Sequence, residues 1–261
     1  MRIVSWNCCG WSCGGFTSKK YNEMMRYNPE ILLIQECTKE EFELVCKECK
    51  LINSNFRHWY GDNHEDSYKG MAIFFTFNLN NVELVPNFNE DFRYVVPYKI
   101  LPKFQSIVQF PDIKEITLLS VWTKKPSDGS WDYQKTIFDA LDYYNFSNPI
   151  VLAGDFNTGS NRLNMHRYEE LKNHLKKYGL KNCAENSEYE HEPTFFHDKT
   201  NSYFTNDFCF ISEEFNVYDF FVDGMNNQKR WRDLSDHCPI IADFGELTKE
   251  YVKELDELLG V

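Results

Sequence analysis

Short apolar runs recur along the chain, and most of them close on a polar residue. Residues 3–7, 31–36, 71–77, 107–110, 116–123, 150–157, 207–212 and 240–244 are rich in branched and aromatic side chains, which predicts strands. Between them the apolar period changes to that of a helix. Thr38 and Glu41 form a capping-box pattern, and Phe42, Val45, Cys46 and Cys49 follow at helical spacing. Residues 20–27 predict a short helix that ends before Pro29. Residues 131–144 set Ile137, Phe138, Leu141 and Tyr144 on one face, and 166–178 do the same with Tyr168, Leu171 and Leu175 before stopping at Gly179. A last amphipathic stretch, 248–259, carries Tyr251, Val252, Leu255 and Leu259. The strand–helix order recurs in the two halves, which predicts two similar layers without a sequence repeat. Long polar connections, among them 53–69, 86–104, 158–165 and 222–234, are where function is expected on such a scaffold.

Composition narrows the class. At 261 residues and 42% hydrophobic, the chain can bury a core without disulfides or metal. No Pro/Gly/Ser-rich linker divides it, so we expect one domain over 1–246 with the helix of 247–261 packed on it. No apolar run reaches the roughly 20 residues of a membrane span. The opening Met1-Arg2-Ile3-Val4-Ser5-Trp6 has no secretory leader pattern, so a cytoplasmic location is expected, with no membrane partner. Nine cysteines, an odd number, argue for thiols rather than a disulfide framework. Cys46 and Cys49 form one CxxC with no second pair to complete a zinc ribbon. The formal charge of −12 opposes coating of a polyanion by bulk electrostatics, so a polyanionic substrate would need a bound cation or local basic loops.

The residues that end the strands supply the chemistry. Asn7 closes the first run, Glu36 the second, and Asp155 and Asn157 the run through Gly154; Asp207 opens Asp207-Phe208-Cys209-Phe210, and Asp236-His237 precede 238–241. Asp155 and Asn157 are two apart, which on an extended chain sets both on one face. Singly, each such residue fits a turn. Together they make a hard oxygen-donor site suited to Mg²⁺, with Mn²⁺ as a substitute, rather than zinc. A further carboxylate can take a proton from water, and amides with an imidazolium can stabilise charge on phosphorus.

The ordered motifs Ser5-Trp6-Asn7, Gln35-Glu36, Gly154-Asp155-Phe156-Asn157, Asn206-Asp207-Phe208 and Ser235-Asp236-His237 resemble the endonuclease/exonuclease/phosphatase superfamily, which includes nucleases like deoxyribonuclease I and exonuclease III. The resemblance implies an α/β (α+β) fold, a four-layer sandwich of two mixed β-sheets flanked by helices, deoxyribonuclease I-like. It implies metal binding by Glu36 with Asn7 beside it, and by Asp236 directly or through water. Asp155 would orient or deprotonate the attacking water, Asn157 would hold the phosphate, and Asp207 would pair with His237 so that His237 donates to a phosphate oxygen. Members often place His or Tyr after the central strand; here Trp122 stands there, and an indole donates without exchanging protons near neutral pH.

Basic residues gather beside the motifs, with Arg162 after the Asp155 loop and Arg230 and Arg232 just before Asp236. With Trp122, they are the expected substrate contacts, and their mixture with aromatics suits a nucleic-acid backbone and unstacked bases. The expected function is thus a Mg²⁺-dependent phosphodiester hydrolase, a nuclease on DNA or RNA, acting as a monomer. The alternatives are a phosphatase or phosphodiesterase of a small ester such as an inositol phosphate, and a catalytically inert nucleic-acid-binding module.

Overall fold

A computed structural model of the chain describes residues 1–9, 13–51, 57–61, 69–76, 82–101, 113, 115–125, 132–161, 165–224, 231 and 233–245. The expected strand at 107–110 and helix at 248–259 lie outside these residues. The chain forms β1 (Arg2–Asn7), α1 (Ser18–Met25), β2 (Ile31–Thr38), α2 (Lys39–Glu48), β3 (Arg57–Gly61), β4 (Lys69–Phe75), β5 (Val82–Leu84), β6 (Val95–Ile100), β7 (Ile116–Trp122), α3 (Lys135–Tyr144), β8 (Ile150–Ser160), α4 (His166–Leu175), β9 (Leu180–Asn182), β10 (Phe195–His197), β11 (Ser202–Ser212), β12 (Asn216–Val222) and β13 (Ile240–Gly245).

Two mixed sheets result. One runs β12-β13-β1-β2-β4-β3, and the other runs β10-β11-β8-β7-β6-β5 with β9 on β11. Each has one parallel pair near its centre, β1 with β2 and β7 with β8, and α1 and α3 make the respective crossovers. The recurrence of strand and helix along the sequence is this pair of β-α-β units.

Alternation along the central strands explains the layers. Ile3, Leu33 and Ile73 from the first sheet meet Tyr98, Leu118, Val151 and Cys209 from the second in a core between the sheets. The opposite faces are also apolar: Val4, Trp6 and Ile34 pack on Tyr21, Met24 and Val45, while Leu119, Val121 and Leu152 pack on Ile137, Leu141, Tyr168 and Leu171. Strands buried on both faces read as continuous apolar runs, as the hydropathy pattern shows. The molecule is the expected four-layer sandwich. None of the nine cysteines is disulfide-bonded.

Several strands lie where the pattern predicts loops. β3 falls within 53–69, β6 within 86–104, and β12 in a stretch without a predicted element. Pro97 hides β6, because a proline within a run argues against an interior strand. Its carbonyl accepts the Val85 N–H just past β5, while the Val85 carbonyl accepts from Phe88 N–H instead, so the missing N–H leaves no acceptor unfilled there.

Candidate active site

The C-terminal ends of the two parallel pairs meet. Asn7 ends β1, Glu36 lies near the end of β2, Trp122 ends β7, and Asp155 pairs with it in register on β8. Ligand sites in open sheets gather at such strand ends.

Each acidic group is aimed by a local irregularity. Glu36 does not end its strand; β2 continues to Thr38. Gln35 pairs with Met71 and Cys37 with Gly70, leaving Glu36 as the extra residue of a bulge at φ 61°. A bulge turns the carboxylate out of the alternation. Beyond it, Thr38 caps α2 with the predicted box to Glu41. Gly154, at φ 146°, precedes Asp155; a Cβ there would lie 1.9 Å from the Val121 carbonyl oxygen, so only glycine allows β8 to approach β7. Asn157 sits at φ 48° and donates its backbone N–H to Asp155 Oδ1 at 2.9 Å and its amide to Asp155 Oδ2 at 3.1 Å. Asp155 and Asn157 therefore meet through a tight local turn, whereas the spacing argument rested on a flat, extended chain. The same Asn157 amide reaches the Thr123 carbonyl at 2.9 Å.

Asn7 joins the two sheets. Its amide donates to Glu36 Oε1 at 3.1 Å and to Asp155 Oδ2 at 2.9 Å. The other Glu36 oxygen pairs with Lys69 at the start of β4. On the far side, Asp207 stands directly across the ladder from Asp155, and Asp207 Oδ2 is 2.8 Å from His237 Nδ1. Two like charges opposite each other are unfavourable; the imidazole lies against them. Thr194 Oγ1 accepts the backbone N–H groups of Asn206 and Asp207, both at 3.0 Å, at the register shift of β11 between Thr205 and Asp207. The Ser235 hydroxyl donates to the Asn7 carbonyl at 2.7 Å and accepts from His237 N–H, and Phe195 lies 4.7 Å from the imidazole, ring centre to ring centre.

The electrostatics follow from this packing. Burial pushes the Asp155 carboxyl up, to about 7; the positive His237 acts against this, and Asp207 with it. Burial alone would lower His237, but Asp207 and then Asp155 outweigh it and raise the imidazole to about 10. Burial also opposes the Glu36 charge, yet Lys69 and the Asn7 amide leave its carboxyl lowered.

The donors suit a hard cation. Asp155, Asp207 and His237 each offer a ligand atom, all within 4.8 Å of one another, and Asp207 Oδ1 is buried without a hydrogen-bond partner. Glu36 and Asn7 adjoin this group through the Asn7–Asp155 bond. Asp236 is half-buried beside His237 and contributes to raising it, but it is not among those three carboxylate and imidazole donors. Trp122 is buried to 5% exposure in the core between the sheets, edge-on to Tyr94, with the Lys124 ammonium 4.2 Å above its ring. Arg162, Arg230 and Arg232 lie outside the described residues. Lys69 and Thr123 are partners that sequence reasoning did not single out, and Ser235 entered it only as part of its motif, without a role. Lys69 carries no motif, and Thr123 acts on Asn157 through its backbone carbonyl, which composition does not mark.

A sequence model of the endonuclease/exonuclease/phosphatase family matches residues 4–237. No curated protein matches the sequence. Among solved structures, an endonuclease/exonuclease/phosphatase family protein from Leptotrichia buccalis C-1013-b superposes with TM-score 0.65 at 17% identity, covering 94% of this chain and 99% of that one. An AP endonuclease from Archaeoglobus fulgidus gives TM-score 0.64 at 15% identity, with 94% and 99% covered. A point variant of the 3′ phosphatase NExo from Neisseria, bound to a product DNA hairpin, gives 0.62 at 18%, with 94% and 99% covered. These likenesses carry the fold, and the sequence match runs through every strand that bears an acidic motif: the chain belongs to the endonuclease/exonuclease/phosphatase family, whose members hydrolyse phosphoester bonds.

Proposed function

We propose that the protein is a Mg²⁺-dependent phosphodiesterase that acts as a nuclease on DNA or RNA, with Mn²⁺ as a substitute ion. The observation that carries this reading is the Asn7 amide, which ties Glu36 of one sheet to Asp155 of the other. Glu36 and Asn7, with Asp236 directly or through water, would hold the ion, which would supply polarisation of a phosphoryl oxygen and neutralisation of charge on the leaving group. Asp155 orients or deprotonates the attacking water. Asn157 holds the phosphate, and His237, kept in one tautomer by Asp207, donates to an oxygen that gains charge. Arg162, Arg230 and Arg232 contact the nucleic-acid backbone, whereas Trp122, expected from the sequence to touch substrate, lies in the core between the sheets and carries the Lys124 ammonium over its ring. The AP endonuclease and the DNA-bound phosphatase among similar folds support a nucleic-acid substrate. No described helix is long and apolar enough to cross a membrane. We place the protein in the cytoplasm as a monomer.

The test is a parallel assay with Mg²⁺ and Mn²⁺ on single- and double-stranded DNA, RNA, an abasic-site duplex and inositol phosphates. Nucleic-acid cleavage that stops in excess chelator is the expected outcome. Hydrolysis of inositol phosphates alone would replace the nuclease reading with the phosphatase one, and full activity in chelator would remove the metal.

A further inference from the structure

A cavity of about 250 Å³ opens beside Asn157, where the residues leading into α3 face the first turn of α4. It is continuous with the site, since Asn157 lines it and also bonds Asp155. Tyr133 supplies an aromatic face and Arg167 a guanidinium. Arg167 is held in place. Arg167 Nη1 donates to the Thr158 carbonyl at 3.3 Å, and the Arg167 carbonyl accepts from the buried Gln134 amide at 3.0 Å. Burial raises the Tyr133 phenol, with Arg167 acting against this and Asp155 with it, so Tyr133 is within electrostatic reach of both.

The charge and size of the cavity select its occupant. One guanidinium and the His166 imidazole stand against two carboxylates, Asp132 and Glu170. That balance does not attract a second phosphate, which argues against a polyphosphorylated ring. The volume lies just below the ~300–1,000 Å³ of drug-sized ligand pockets. It suits one flat, neutral, polar group rather than a base pair. Aromatic and guanidinium planes are the surfaces on which unpaired bases stack.

We propose that this cavity is a nucleoside pocket: it takes the base and sugar next to the phosphate held at Asn157, with Tyr133 and Arg167 as positioning residues for the base. The proposal rests on the phosphodiesterase reading and deepens it. A base seated there is out of any duplex stack, so the substrate presents an unpaired nucleotide at the bond to be cut.

Two synthetic diesters separate the claims: thymidine 5′-(p-nitrophenyl phosphate), which carries a nucleoside, and methyl p-nitrophenyl phosphate, which has only a methyl group in its place. Wild type is expected to favour the nucleoside ester in kcat/KM. Tyr133→Ala should remove about tenfold or more of that preference through KM, the size of a lost base–aromatic stack. Tyr133→Phe should retain it, and all three proteins should use the base-free ester equally, which also controls for folding. Equal use of both esters by wild type, or a parallel loss on both in Tyr133→Ala, overturns the pocket. Turnover of neither ester overturns the phosphodiesterase reading instead. The pocket is then decided by calorimetry with thymidine: binding by wild type that is lost in Tyr133→Ala supports it, and no binding overturns it.

Discussion

At the scale of single residues, the site is a set of carboxylates whose charge is balanced within the fold. Glu36→Gln removes the anion that Lys69 and the Asn7 amide face, so divalent-ion affinity should weaken and turnover nearly vanish. Calorimetric titration with Mg²⁺ beside an activity assay checks both. Asp155→Asn keeps the shape but removes the proposed base. Turnover should fall by about 10²–10⁴, the range of general-base catalysis, while KM holds or improves because a negative charge beside the phosphate is gone. Steady-state kinetics at saturating Mg²⁺ decide this, and unchanged kcat would refute the role. His237 carries the third prediction. With the imidazole raised to about 10, it is protonated through neutral pH and loses its donor function as pH climbs through that value. Turnover should show an alkaline limb there. Asp207→Asn withdraws the largest factor holding the proton, so the limb should move to lower pH. A pH–rate series on wild type, Asp207→Asn and His237→Gln would expose a limb that does not respond to either change.

At the scale of elements, the backbone aims these residues through conformations that the amino acids do not favour. Gly154→Ala should destabilise the fold by about 3 kcal/mol or more, since the new Cβ meets the β7 backbone and φ is outside the usual range for a side chain. Denaturant unfolding would read the loss, and a stability within a few tenths of wild type would show that β8 can shift. Much of this was legible beforehand. The buried central strands announce themselves as apolar runs, and the Thr38 box marks α2. The motif carboxylates were legible because several polar residues end apolar strands in one chain. The edge strands β3 and β12 were not: their residues are largely half-exposed or exposed, and their runs mix charged and aromatic side chains. The bulge at Glu36 was hidden for another reason. A non-glycine residue at positive φ has no compositional mark, and only the pairing with β4 shows that the strand carries on past it.

At the scale of the whole molecule, the acid-rich site makes stability depend on pH when no metal is bound. His237 binds its proton more tightly folded than at its ordinary 6.5, so its contribution is full below about 6.5 and is lost as pH rises towards 10. The Asp155 carboxyl, about 7 when folded against 3.8 ordinarily, acts in the same direction between those values. Glu36, lowered, contributes above its ordinary 4.5 and loses that contribution in acid. Unfolding in chelator should therefore show stability falling from mildly acidic to alkaline pH. Added Mg²⁺ should recover more at pH 8.5 than at pH 5.5, because binding to the native state adds stability by mass action. A flat profile in chelator would mean that these groups relax their burial. The sheet order has a consequence of a different kind, for synthesis. β1 pairs with β13, and Ser235 and His237 bond across to residues at the very start of the chain. Contacts of such sequence separation form late. A nascent chain halted after β11 would already hold Asn7, Glu36, Asp155 and Asp207, yet it would lack the strand that closes β1 and the imidazole that faces the acids. A fragment that ends after β11 is therefore expected to keep the acids of the site without the group that balances them, and to be inactive.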